Sequence, residues 1–269
     1  MDNDDRPMGR VLSRREVLAL FGTAGAALLV ACAPRELVAA TAVAEASTAT
    51  GVEAGVSTAT SEAGLTTVMR TPACVVRPEL TEGPYFVDEM LNRSDIRSDP
   101  SDGSVADGLP LEVVFLVSKV SSEGCTPLAG AAVDVWHCDA QGVYSDVADP
   151  GFNTVGKKFL RGYQVTDANG EARFTTIYPG WYRGRTVHIH FKIRGVTEAG
   201  AGYEFTSQLF FDDAVSDLVY EQEPYAGKGE RAVRNADDGI FRQSGNLLTL
   251  DVTETESGYS GTFDIGIQL

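Results

Sequence analysis

From residue 111 onward the chain alternates short apolar, β-branched runs with clusters of turn-forming residues. LEVVFLVSKV at 111–120 is the longest such run. AAVDVWHC at 131–138 alternates in polarity before it enters a turn, Asp139-Ala140-Gln141-Gly142. Runs at 162–166 and 171–177 flank Asp167-Ala168-Asn169-Gly170, whose Asn-Gly pair signals a hairpin. Further strand-like runs lie at 186–193, 205–211, 247–255 and 259–267. Eight short strands parted by turns predict an all-β fold, an antiparallel β-sandwich or a related barrel. Two stretches are less regular. One is 84–110, rich in Asp, Ser and Gly; the other is 212–243, with a short helix expected at 213–220 (DAVSDLVY). On a sandwich, such excursions serve as long covering loops that wall a site.

The patterning is different at the N-terminus. Residues 38–70 are almost all Ala, Thr, Ser, Gly, Val and Glu, with no aromatic residue and no Pro. Without large side chains to offset the ordering entropy, this stretch is expected to be a disordered tether. Before it, Ser13-Arg14-Arg15-Glu16-Val17-Leu18 sets a twin arginine against an apolar run at 17–31. That run is shorter than the ~20 residues of a membrane-spanning helix. It ends in Leu29-Val30-Ala31-Cys32, which resembles the site at which a lipoprotein cysteine is acylated. The whole resembles a twin-arginine (Tat) lipoprotein signal, although Asp2, Asp4, Asp5 and Glu16 offset Arg6, Arg10, Arg14 and Arg15. The expected layout is therefore a signal at 1–32, a tether at 33–70 and one folded domain at 71–269. It implies an extracytoplasmic protein, either secreted or attached to the membrane through a lipid on Cys32 alone.

Composition changes this picture little. With 269 residues and an ordinary apolar fraction, the chain can bury a sizeable core. A formal charge of -16 disfavours nucleic acid and anionic lipid as partners. Of four cysteines, Cys32 belongs to the signal. Cys74 and Cys125 fall in expected loops, and Cys138 ends an apolar strand. A Cys74–Cys125 bridge with Cys138 buried and free is the expectation. A Cys/His zinc site is the competing arrangement, and no Cys-x-x-Cys spacing supports it.

Candidate chemistry concentrates in YPGWYRGRTVHIH at 178–190. His188 and His190 are two apart in a β-branched run, so both imidazoles point to one face of a strand. They suit two ligands of one metal, although such a motif taken alone is more often a hydrogen-bonded histidine pair. Pro179-Gly180 is a turn that delivers Tyr182, and Arg185 lies three residues before His188. The stretch 174–193 has no Asp or Glu, which argues against a ferrous site built from two histidines and a carboxylate. The available oxygen donors are phenols, on Tyr182 and on Tyr144 just past the Trp136-His137 strand. Phenolate is a hard, charged donor that favours ferric over ferrous iron. Taken singly, each tyrosine also reads as a half-buried aromatic at a turn end.

The segments VDVWHCDAQGVYSD (133–146), FLRGYQVTDANGEARFTTIYPGWYRGRTVHIHFKI (159–193), TSQLFF (206–211) and TEGPYF (81–86) together resemble the intradiol ring-cleavage dioxygenases, the family of the catechol and protocatechuate enzymes. The resemblance implies a β-sandwich carrying one non-haem Fe(III) per chain. It implies Tyr144, Tyr182, His188 and His190 as metal ligands, Arg185 as the substrate-activating cation, and Gln208 as the residue that holds that arginine. Tyr182 is also implied as a base that leaves the metal when the diol binds. His137 has no ligand role in the family and reads as structural. The implied substrates are a catechol-type small molecule and O2, with cleavage between the two hydroxylated carbons to a muconate-type diacid. The helical dimerisation segment of the catechol enzymes has no counterpart here, the Tyr182-to-His188 offset is short, and a homo-oligomer remains open. A second function class also remains open. Pro127-Leu128-Ala129-Gly130-Ala131-Ala132-Val133 with Thr166-Asp167-Ala168-Asn169-Gly170 resembles prealbumin-like sandwich modules, which would make this a surface-tethered binding module without iron.

Overall fold

A computed structural model describes residues 74–269, so the expected signal, Cys32 and the tether lie outside the described residues. The strands are β1 (Pro110–Ser121), β2 (Gly124–Pro127), β3 (Ala132–Trp136), β4 (Ala148–Asp149), β5 (Phe152–Asn153), β6 (Arg161–Val165), β7 (Glu171–Ile177), β8 (His188–Val196), β9 (Gly202–Phe210), β10 (Val252–Glu254) and β11 (Tyr259–Gln268). One sheet runs β10-β11-β1-β2, with β7 also paired to β1; the second runs β6-β3-β8-β9; β4 and β5 form a separate ribbon. β-branched and aromatic residues form these strands because alternate side chains can be buried on a shared face. The two sheets meet through Phe115, Phe191 and Phe263, with centroids 5.2 Å apart for Phe115–Phe191 and 5.8 Å for Phe191–Phe263. Each such fully buried ring contributes about 1.5–3 kcal/mol. This is the expected all-β sandwich.

Three details differ from the sequence expectation. β1 and β11 pair in parallel along Leu111–Val120 and Tyr259–Gln268, so the sandwich is not wholly antiparallel. No short hairpin links these two strands, and the whole intervening chain serves as their crossover. The Asn-Gly turn forms, with Gly170 N–H donating to Asp167 O at 3.0 Å, but β6 and β7 enter different sheets. Gly170, at φ 74°, lies so close to β1 that a Cβ would stand 2.1 Å from Val117 O. The turn is thus docked against β1, and β7 pairs with β1 in place of β6. The expected strand at 247–255 is reduced to β10. Before it, Leu248 O and Leu250 N–H bond the backbone of Phe210, which ties this stretch to the end of β9.

The helix at 213–220 is present as α1 (Asp213–Tyr220), its N-terminus capped by Asp212, which accepts from Ala214 N and Val215 N. A second helix, α2 (Phe241–Ser244), is a single turn. Cys74 and Cys125 form a disulfide, and Cys138 is free and buried.

Candidate metal centre

β8 is buried on both faces. Ile189, Phe191 and Ile193 enter the sandwich core. By alternation, His188, His190 and Lys192 take the opposite face. Register then builds a row across the sheet. Arg161 pairs with Trp136, Trp136 with His190, and His190 with Gln208, so the four side chains stand on that same outer face.

The two tyrosines arrive on turns that interlock. Asp139 Oδ1 accepts from Gln141 N and Val143 N, which shapes the turn carrying Tyr144. Gly142 has φ 79° and lies where a Cβ would be 2.4 Å from Trp181 O; a Cβ on Gly180 would be 2.4 Å from Asp139 O. Only glycine allows the two backbones this close. Behind the second turn, α1 holds its entry: Ser216 Oγ lies 2.8 Å from Tyr178 Oη, and Tyr220 donates to Pro179 O at 2.8 Å. The result sets the Tyr144 and Tyr182 rings 5.8 Å apart and edge to face.

The four expected donors come together. His188 Nε2 lies 3.1 Å from His190 Nε2 and 3.2 Å from Tyr182 Oη. The Tyr144 ring centroid is 6.2 Å from that of His190. His188 Nδ1 donates to Thr186 O at 2.7 Å, which leaves Nε2 as the lone-pair nitrogen of the neutral ring. Tyr144 Oη and His190 Nδ1 are buried with no hydrogen-bond partner among the described residues.

Electrostatics agree with this grouping. Burial lowers the pKa of His188 and His190 well below the ordinary value, and the nearby Arg185 charge adds to it. Both rings are therefore neutral, as metal ligands must be. Burial pushes the Tyr144 and Tyr182 phenols up, and Arg185 opposes the rise at both. They ionise only if a cation supplies the compensating charge. No group of three or more His, Cys, Asp or Glu side chains able to hold a metal occurs among the described residues. The set here is two neutral imidazoles and two phenols, with buried polar atoms that lack protein partners. It fits a hard, highly charged metal ion.

Arg185 and Gln208 adjoin the donors. Arg185 Nη2 donates to Gln208 Oε1 at 2.6 Å, and Gln208 Nε2 donates to Thr81 O at 2.9 Å. His137 is directed elsewhere: Nδ1 bonds Cys138 O at 2.8 Å and Nε2 meets Thr176 Oγ1 at 2.7 Å, on β7 of the other sheet.

Several neighbours are absent from the sequence reading. Trp136 lies flat against His190, centroids 5.0 Å apart at 10°. Tyr85 stacks on Tyr144 at 4.5 Å, and its hydroxyl donates to Asp149. Arg161, buried, donates to Ser145 O, Ser145 Oγ and Tyr85 O, fixing the backbones that carry both rings. Burial lowers its pKa to about 10. Asp238 accepts from Arg185 Nε at 2.8 Å. Neither Trp136 nor Asp238 had a local signal: Trp136 meets His190 only through the register between β3 and β8, and Asp238 lies 53 residues past its partner.

The family model for a dioxygenase matches residues 81–223. The beta chain of protocatechuate 3,4-dioxygenase from Burkholderia cepacia is 29% identical over 179 residues, covering 62% of this chain and 69% of that one. A chlorocatechol 1,2-dioxygenase from Pseudomonas putida is 28% identical over 151 residues; the match spans 49% of this chain and about half, 52%, of that protein. Among solved structures, an intradiol ring-cleavage dioxygenase from Tetranychus urticae is 31% identical with a TM-score of 0.63, covering 72% of this chain and 95% of that chain.

Proposed function

We propose, for a chain that belongs to the intradiol ring-cleavage dioxygenases, that it opens a catechol-type diol between its hydroxylated carbons at a ferric ion held by Tyr144, Tyr182, His188 and His190. Membership makes it an oxidoreductase and sets aside the binding-module alternative. The observation that carries the proposal is the meeting of two neutral imidazoles and two buried phenols beside a guanidinium.

Bound there, ferric iron would supply Lewis acidity that draws electron density from the ring toward attack by O2. The chain's own residues do the rest. Tyr182 Oη, once a bound cation has ionised it, would be the base that receives a proton from the diol. Arg185 holds fixed positive charge where negative charge grows on the ring carbon, and burial makes that charge effective. Gln208 orients the guanidinium. Trp136 and Tyr85 keep water from the back of the donors, since each covers one ring face.

The test is product analysis after oxygen uptake with a small panel of catechols. A muconate-type diacid, formed without added reductant, is expected. A semialdehyde from cleavage outside the diol, or activity only with ferrous iron and reductant, overturns the mechanism. Ligand roles are read separately: His188→Ala and His190→Ala lose most bound iron, and Tyr144→Phe and Tyr182→Phe each alter the visible charge-transfer band.

For location, the reading remains a Tat lipoprotein signal at 1–32 and a tether at 33–70. The disulfide between Cys74 and Cys125 supports an oxidising compartment. A lysine pair in place of Arg14-Arg15 should retain the precursor inside the cell; normal maturation of that variant ends the Tat reading.

A further inference from the structure

Outside the matched residues 81–223, one carboxylate reaches the centre. Asp238 closes a short 3-10 turn, Asn235–Asp237, in the irregular segment after α1. It is 1% exposed, and every hydrogen bond of its side chain is an acceptance. Oδ2 takes Arg185 Nε and Thr186 N, both at 2.8 Å. Oδ1 takes Ile240 N at 2.7 Å and Phe241 N at 2.9 Å, at the start of α2. The same turn holds the next residue of β8's approach, because Thr186 Oγ1 donates to Asn235 Oδ1 at 2.6 Å.

A guanidinium has five N–H donors in a fixed plane. Here the side edge is fully engaged: Nε by Asp238, one hydrogen of Nη2 by Gln208. Nη1 makes no hydrogen bond to any described residue. A two-point hold on one edge of a rigid fork fixes the direction of the opposite end, whereas Gln208 alone would leave the plane free to swing.

We propose that Asp238 is the positioning residue for Arg185: with Gln208 it locks the guanidinium plane, so that the Nη1 end is the part free to meet the reacting ring. This rests on the ring-cleavage reading above. It also accounts for a carboxylate so close to a cation needed for catalysis. Full pairing would cancel the charge, but a bond through Nε alone leaves the Nη1 end unpaired. Burial would raise the Asp238 carboxyl, yet Arg185 and the N–H groups of Phe241 and Thr186 hold it below the usual range, so the carboxylate is ionised at neutral pH.

The test uses the iron-loaded full chain. Asp238→Asn, Arg185→Ala and the double variant are compared with wild type for iron content, charge-transfer band and oxygen uptake with catechol. For Asp238→Asn we expect iron and band retained, KM within about 3-fold, and kcat reduced at least about 10-fold. The double variant should be no slower than Arg185→Ala, because a residue acting only through Arg185 has nothing left to position. Unchanged kcat in Asp238→Asn, or a double variant slower by the full product of the two single effects, overturns the role. Because Asp238 also accepts from Ile240 N and Phe241 N, a variant that fails to fold is replaced by Asp238→Glu, which keeps the charge. There, kcat per bound iron several-fold below wild type supports positioning, and an unchanged value overturns it. A wild-type chain that holds iron but consumes no oxygen with any catechol overturns the ring-cleavage reading and this role together. Failure in the Asp238 variants alone leaves that reading standing.

Discussion

His188 and His190 stand on one strand, two residues apart, yet they are held by different physics. On the His188 side the restraint is polar. Nδ1 donates to Thr186 O, Thr186 is bonded in turn by Asn235 and Asp238, and Arg185 joins the same network. On the His190 side it is packing. Nδ1 has no hydrogen-bond partner among the described residues, and the ring is instead held by stacking on one face. Trp136 covers its face at 5.0 Å, Phe86 backs Trp136 at 4.8 Å, and Lys192 Nζ sits 4.4 Å from the Phe86 ring. At the ring edge, a Cβ on Gly83 would come to 3.2 Å from His190 Cε1. Hydrogen bonds set an angle and a tautomer, whereas packing sets a plane and a position. A centre built this way has one side that reports on polar changes and another that reports on volume.

The comparison breaks most sharply at Trp136. Trp136→Ala removes a side chain that is 2% exposed, at a cost of about 3–5 kcal/mol in folding stability. The released His190 should also give up iron to a competing chelator much sooner than wild type. Trp136→Phe keeps a flat face for His190 and removes the unpartnered Nε1–H, so it should recover most of both losses. Denaturant melts and chelator titrations of the two variants read this; equal behaviour would mean that the stack does not orient the ring.

His137 sharpens the contrast by pH. It is the third histidine, hydrogen-bonded at both nitrogens, and burial drives its pKa down to about 4 from an ordinary 6.5. Between those values the unfolded chain binds a proton that the folded chain refuses, so stability falls as pH drops from 6.5 toward 4. The loss should be roughly 2 kcal/mol by pH 5 in the iron-free protein, with His188 and His190 adding in the same direction. Denaturant midpoints at pH 7 and 5, for wild type and His137→Asn, check it. The variant should lose part of the slope, and an identical slope would place the titration elsewhere.

The smallest effect tests the polar side. Asn235→Ala removes the acceptor for Thr186 Oγ1 and should cost about 1 kcal/mol. Because Thr186 O and its bond to His188 Nδ1 remain, iron affinity should hardly change. A large loss of iron here would show that the polar network is as tightly coupled to the centre as the packing is.

Periodicity and local chemistry by themselves determined much of this molecule. Alternation in TVHIHFKI put His188 and His190 on one face, since a strand has a period of two whatever surrounds it. The short helix at 213–220 was legible in DAVSDLVY because helix formation is local, while its Asp212 cap was seen only in the structure. Tyr182 and Arg185 were legible beside the histidines because all four lie within 182–190, whereas the arrival of Gln208 and the joining of Tyr144 to them were legible only through the resemblance of whole segments. Tertiary structure alone decided the rest. Which strand lies beside which is a long-range choice, so the parallel β1–β11 pair and the divergence of β6 from β7 left no local trace. The same holds for Trp136 on His190, which depends on the register between β3 and β8. It holds most of all for Asp238. An aspartate in a short turn has the same sequence signature whether it caps a helix, faces water or reaches back 53 residues to Arg185, because that ion pair forms only once the chain between them has folded.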